Sequence, residues 1–200
     1  WHLQGASAYY GVQPDMVTFG KGMANGFSVA ALGGKREIME LGGLFSDKER
    51  VFLISTTHGA EMCGLGAFVE TLKVYKELDV ISRIWQSGRM LVDGANAIAK
   101  DMGIGEYFEF IGVPCSPNFI TKDKTGEASL EFRTLFVQEM IKQGMLMPWV
   151  AISYSHGDEE INITLEAIKH SLLVYRKALD DGVDKYLEGR PIKPVFRKWN

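Results

Sequence analysis

Lys21 stands between Gly20 and Gly22, with a third glycine at Gly26, directly after the short run Met16-Val-Thr-Phe19. That run mixes Val, Thr and Phe and reads as a strand that Gly20 stops. A primary amine at the mouth of a strand, flanked by residues without side chains, has open space around it. A bound carbonyl compound needs such space to form a Schiff base with the amine. The same residues equally describe a surface lysine in a glycine-rich turn. A second candidate is Ser55-Thr56-Thr57-His58-Gly59-Ala60-Glu61, set between the apolar run Val51-Phe-Leu-Ile54 and a helical pattern from Met62 to Leu78. Hydroxyls and free backbone N–H groups at a helix start make an anion site. They also make an ordinary N-cap.

The elements that must position these residues follow from pattern. Residues 1–13 read as a short helix or loop. Lys35 to Leu41 has a helical pattern closed by Gly42-Gly43. Val51–Ile54, apolar and partly β-branched, reads as a strand buried on both faces. A second long helix is predicted over Asp79–Gly103, where Ile81, Ile84, Trp85, Met90, Leu91, Ala95 and Ile98 recur at near-helical intervals; its aromatic and thioether side chains read as core. Tyr107–Val113 alternates as a strand, Pro114-Cys-Ser-Pro117 breaks it, and Asn118–Thr121 resumes an extended run. Ser129–Gly144 is an amphipathic helix that Gly144 ends. Met145–Ser153 is extended, with an edge or bend at Pro148. Ser155–Glu160 opens a last helix running to about Asp181, its acidic first turn favoured by the helix dipole. The tail from Gly189 to Asn200 is rich in Pro, Lys and Arg and is expected to lie extended on the surface.

Composition narrows the function. The 200 residues are 46% apolar and 24% charged, near a globular average, and suit one domain or parts of two. A net charge of −3 leaves no basic footprint for nucleic acid and no polybasic membrane patch. No apolar run approaches the roughly 20 residues of a membrane span, so the expectation is a soluble, cytoplasmic protein. Cys63 and Cys115 are widely separated, which indicates neither a metal site nor a disulfide framework.

The stretch Pro14-Asp-Met-Val-Thr-Phe-Gly-Lys-Gly-Met-Ala-Asn-Gly-Phe-Ser-Val-Ala-Ala-Leu-Gly-Gly-Lys-Arg-Glu-Ile-Met39 resembles the lysine segment of class III pyridoxal-phosphate aminotransferases. Within that class it is most similar to the glutamate-1-semialdehyde aminomutase branch. The shared pattern is Pro-Asp, a hydrophobic strand, Gly-Lys, several small residues, a strand, then Gly-Gly and a helix. The resemblance implies that Lys21 binds pyridoxal 5'-phosphate as a Schiff base. Gly20 and Gly22 would let it swing, and Gly26 would allow close backbone approach to the cofactor. It also implies that Thr56, three residues before Gly59, binds the cofactor phosphate of the neighbouring subunit, so that the active site lies across a homodimer interface. His58 stands where many members carry serine, and Ala60-Glu61 where Asn-Pro is more frequent. His58 is then either a substrate-side or proton-handling group or one placed behind the site. Trp149 either lines the substrate pocket or packs in the core, and His156 is structural.

The implied fold is α/β, the C-terminal half of a fold-type I pyridoxal-phosphate transferase. Residues 1–85 would be the end of the large domain's mixed, mostly parallel sheet, and residues 86–200 a small α/β C-terminal domain. The implied function is transfer of an amino group between a small-molecule amino donor and a carbonyl acceptor, as an aminotransferase or aminomutase. Another pyridoxal-phosphate reaction on this scaffold, a racemase or decarboxylase, would use the same Lys21 and Thr56. A non-catalytic α/β binding module is the alternative outside enzymology. The family's pyridinium-pairing aspartate, its ring-stacking aromatic and its same-subunit phosphate loop have no counterpart in the sequence. The chain therefore reads as a fragment that alone binds cofactor poorly and catalyses nothing.

Overall fold

The β-branched and aromatic run after Pro14 forms strand β1 (Met16–Phe19), which pairs antiparallel with β2 (Ala31–Gly34) in the register Met16↔Gly34 to Phe19↔Ala31. This computed structural model describes residues 1–43, 46, 47, 49, 59 and 61–193, in two units, Trp1–Ile81 and Ser82–Asn200. The expected strand Val51–Ile54, with Thr56 and His58 beyond it, lies outside the described residues, as does the tail from 194 onward.

In the first unit a one-turn helix, α1 (Ala6–Tyr9), precedes β1, and β2 leads through Lys35 into α2 (Arg36–Met39). The helix predicted to reach Leu41 tightens after Met39 into a 3-10 turn, Glu40–Gly42, before Gly43. Gly34 is fixed by crowding: a Cβ there would sit 2.8 Å from the Asp15 carbonyl oxygen. The long helix α3 (Met62–Glu77) follows the predicted span closely. Asp79, at φ 45°, ends it, a short polar side chain being tolerated in the left-handed region.

Helix α4 (Val80–Asp101) leads into the second unit, which also holds a β3 (Phe108–Val113) and β4 (Ser116–Thr121) hairpin, α5 (Leu130–Lys142) and α6 (Asp158–Asp181). The hairpin turn is only Pro114-Cys115; Ser116 and Pro117 already belong to β4, where Pro117 sits opposite Gly112. The break expected over four residues is thus two long, because a two-stranded ribbon has outer edges where a proline costs no ladder bond. Both helices α4 and α5 end as the glycines predict. At α5, Gly144 (φ 81°) donates to the Ile141 carbonyl at 2.8 Å and Met145 to the Met140 carbonyl at 2.9 Å, a Schellman ending. Ser129 caps its other end by accepting the Phe132 amide at 3.2 Å.

The core of this unit is aromatic. Phe108 lies 4.7 Å, centroid to centroid, from Phe136, and Phe132 lies 4.7 Å from Tyr175, with Leu135, Met140, Ile168 and Leu172 fully buried around them. Polar groups inside are spent on joining elements. The Asn96 amide of α4 pairs in both directions with the backbone of Phe110, accepting at 2.7 Å and donating at 3.0 Å, as a neighbouring strand would. The Tyr175 hydroxyl donates to the Lys122 carbonyl at 2.6 Å and accepts the Lys122 amide at 2.9 Å. Arg83 of α4 reaches Asp158 of α6 at 3.1 Å. No helix among the described residues is long and apolar enough to cross a membrane.

Candidate active site

Gly20 carries the chain out of β1 in an extended conformation, φ −172°. Lys21 follows at φ 50° and opens a 3-10 turn, Lys21–Met23, closed by the Met23 amide donating to the Gly20 carbonyl at 3.1 Å. A residue with a Cβ held in the left-handed region costs about 1–3 kcal/mol and persists only where its surroundings impose it. The strain falls on the lysine although glycines, for which it would be free, flank it on both sides. The Lys21 side chain is exposed, whereas Ala24, three residues on, is 1% exposed and anchors the turn. Beyond Ala24, Asn25 (φ 45°) and Gly26 (φ 113°) form a tight reversal that the Phe27 amide closes on the Ala24 carbonyl at 3.3 Å. Asn-Gly is the pair that such a turn favours. Gly26 thus serves the turn.

Helix α3 holds this turn from outside. The Tyr75 hydroxyl donates to the Gly22 carbonyl at 3.0 Å, and a Cβ on Gly22 would lie 3.3 Å from that hydroxyl. Three helical turns earlier on the same face, Gly64 is buried so closely that a Cβ would meet Val29 Cγ2 at 2.8 Å. Gly64 and Tyr75 therefore fasten α3 to both ends of the lysine loop. The residue signals did not single out Tyr75, since a tyrosine at helical spacing reads as core. Its separation from Gly64 by eleven positions is the signal that marks the shared face.

An exposed primary amine on a constrained backbone, with side-chain-free residues on either side, fits a group bearing an aldehyde. Thr56 and His58 lie outside the described residues, so the amine side of the candidate site is the part the structure describes. Among the described residues no group of three or more His, Cys, Asp or Glu is placed to hold a metal ion.

Trp149 is in the second unit and is 69% exposed, so it is not packed into the core that this unit forms by itself. It sits in the segment between α5 and α6, which pairs with no strand among the described residues and bends at Pro148-Trp149. His156 has the structural surroundings expected of it. Its Nδ1 accepts the Ser153 amide at 3.1 Å and its carbonyl accepts the Ser87 hydroxyl at 2.8 Å.

Residues 5–172 match the Aminotransferase class-III family. Among curated proteins, the chain is 32% identical over 180 residues to a 3-aminobutyryl-CoA aminotransferase of Cloacimonas acidaminovorans, covering 88% of this chain and 42% of that protein. It is 28% identical over 184 residues to a glutamate-1-semialdehyde 2,1-aminomutase of Fusobacterium nucleatum subsp. nucleatum, covering 84% of this chain and 40% of that protein. Among solved structures, a transaminase with PLP bound superposes with a TM-score of 0.74 at 19% identity, over 89% of this chain and 42% of the other, a likeness of fold. The chain thus spans about two-fifths of the length of the relatives it matches.

Proposed function

We propose the following role for this chain, which belongs to the class III aminotransferase family: it is the C-terminal part of an enzyme that moves an amino group between small molecules with pyridoxal 5'-phosphate, and Lys21 is the residue that holds the cofactor. The observation that carries this reading is the exposed Lys21 amine on a backbone held at φ 50° by a turn that α3 clamps. A surface lysine in an unconstrained turn would gain nothing from that conformation.

When bound, pyridoxal phosphate supplies an electron sink next to the reacting carbon of the substrate. Lys21 Nζ would hold the cofactor through its aldehyde group and, when free, would take and return a proton at the substrate's reacting carbon, as general base and then general acid. The extended Gly20 and the side-chain-free Gly22 leave that arm room to move between the two tasks. Thr56 serves the phosphate of a neighbouring copy, which makes the working enzyme a homodimer, and its compartment is the cytoplasm. The first unit ends the cofactor domain and the second is the small C-terminal domain, with the boundary near residue 85.

Two facts support the view that these 200 residues do not make the whole catalyst. The matched relatives extend well beyond this chain. In the first unit Ala24 and Val80 are the only buried apolar residues among the described ones, whereas Met62 and Val69 of α3 are 80% and 53% exposed. Such a surface belongs against more protein. The test is amino transfer by the full-length parent with pyridoxal phosphate added. Transfer that Lys21→Ala abolishes is expected, and transfer that survives Lys21→Ala would overturn the assignment. Substrate testing of the same enzyme separates transfer from racemisation or decarboxylation.

A further inference from the structure

Lys21 has a Cβ and is held at φ 50°, whereas Gly22, which has none, lies outside the left-handed region that favours glycine. Backbone conformation therefore does not call for glycine at position 22. Packing does. Among the described residues, leaving out the immediate chain neighbours, one heavy atom lies within 4 Å of a Cβ built at Gly22: the Tyr75 hydroxyl oxygen, at 3.3 Å. That oxygen is kept there by its own bond to the Gly22 carbonyl, 3.0 Å long. Gly22 is bare because Tyr75 reaches it.

The bond acts on a single peptide plane. The Gly22 carbonyl and the Met23 amide belong to one planar unit. Tyr75 holds its C=O end, and the Gly20 carbonyl holds its N–H end at 3.1 Å. With both polar groups taken, that plane cannot rotate to relieve the strain at Lys21. Helix α3 is itself fixed at the other end of the loop, where Gly64 lies so close to Val29 that a Cβ would meet Cγ2 at 2.8 Å. The bare Gly22 thus leaves the lysine's arm its room while the base of that arm is fixed. A lysine set in this way meets an aldehyde already oriented, and one whose turn relaxes must be ordered again first.

We propose that Tyr75 is a positioning residue for the Lys21 amine, acting through the Gly22–Met23 peptide, and that Gly22 and Tyr75 work as a coupled pair. The proposal rests on the reading of Lys21 as the residue that holds the cofactor. Its test mixes the full-length parent with saturating pyridoxal phosphate and follows by stopped-flow absorbance how fast Lys21 captures it. Capture joins Nζ to the aldehyde carbon and releases water, and borohydride reduction with peptide mapping confirms the lysine. Saturation removes affinity from the comparison, so a role in stability alone would leave the rate unchanged. Tyr75→Phe is expected to slow capture about fivefold or more. Gly22→Ala, which pushes the hydroxyl off its carbonyl, should slow it to a similar degree. The double variant should be no slower than Tyr75→Phe alone, because the second change then removes nothing further. Phe keeps the ring and Ala needs no unusual backbone at position 22, so neither change threatens folding. A wild-type capture rate in Tyr75→Phe, or effects that multiply in the double variant, would overturn the proposal while leaving Lys21 as the cofactor's residue. If the unaltered parent gives no adduct at Lys21, the cofactor reading itself fails and the positioning role falls with it.

Discussion

The hydroxyl of Tyr75 donates to the carbonyl of Gly22, the residue after Lys21 and 53 positions away in sequence. This bond joins a long helix to the turn whose backbone is strained at Lys21. It makes α3 part of the apparatus that holds the amine. Tyr75→Phe keeps the ring and removes only the donor, so it should destabilise the protein by about 0.5–1.5 kcal/mol. With the turn loosened, the full-length enzyme should also bind pyridoxal phosphate several-fold more weakly. Chemical denaturation and cofactor titration check the two halves. Unchanged affinity with reduced stability would make Tyr75 a packing residue only.

Helix α4 carries two glycines whose roles differ by what faces them. A Cβ at Gly88 would stand 2.0 Å from the Pro114 carbonyl oxygen, part of the hairpin backbone. A Cβ at Gly94 would meet the methyl ends of Leu165 at 2.7 and 2.8 Å, which can turn aside. Alanine is favoured over glycine inside a helix by about 0.8–1 kcal/mol. Gly94→Ala should therefore come out close to neutral in thermal unfolding. Gly88→Ala should lose at least about 1–3 kcal/mol through overpacking, because backbone cannot step back. Equal effects of the two substitutions would refute the close approach of α4 to the hairpin.

Tyr175 gives the second unit an alkaline limit. Burial raises its phenol well above the ordinary value near 10; the Lys122 backbone bond works against the shift and the charge of Asp123 adds to it. The folded-state pKa is thus above the unfolded one. Its contribution is fully present below pH about 10 and is lost as the pH rises from there toward the folded value. Stability measured by denaturant should fall with pH in that window, and Tyr175→Phe should flatten the fall while lowering stability at neutral pH. An identical alkaline slope in the variant would show that other groups set the limit.

Much of this was legible in the residues. Gly144, Gly103 and Ser129 marked helix ends that the structure places within a residue or two, because a left-handed cap or a side-chain acceptor is a local requirement. The lysine turn was legible through Gly20 and Gly22. What the text of the sequence does not carry is which residue of the turn takes the positive φ: the strain sits on Lys21, and the surrounding packing decides that. Pro117 misled for a related reason, since whether a proline breaks a strand depends on whether that strand has an outer edge. Tyr75 was hidden because its partner is a backbone carbonyl, which leaves no mark in residue type. Trp149 could be read either way because a tryptophan suits a core and a pocket wall alike; its exposure places it outside the second unit's own core.

The central claim is that Lys21 holds the cofactor, and peptide mapping tests it most directly. Full-length enzyme would be incubated with pyridoxal phosphate, reduced with borohydride, digested and mapped by mass spectrometry. The account predicts one modified peptide, the one containing Lys21, and its absence in Lys21→Ala. Modification at another lysine, such as Lys35, with Lys21 untouched, would contradict it.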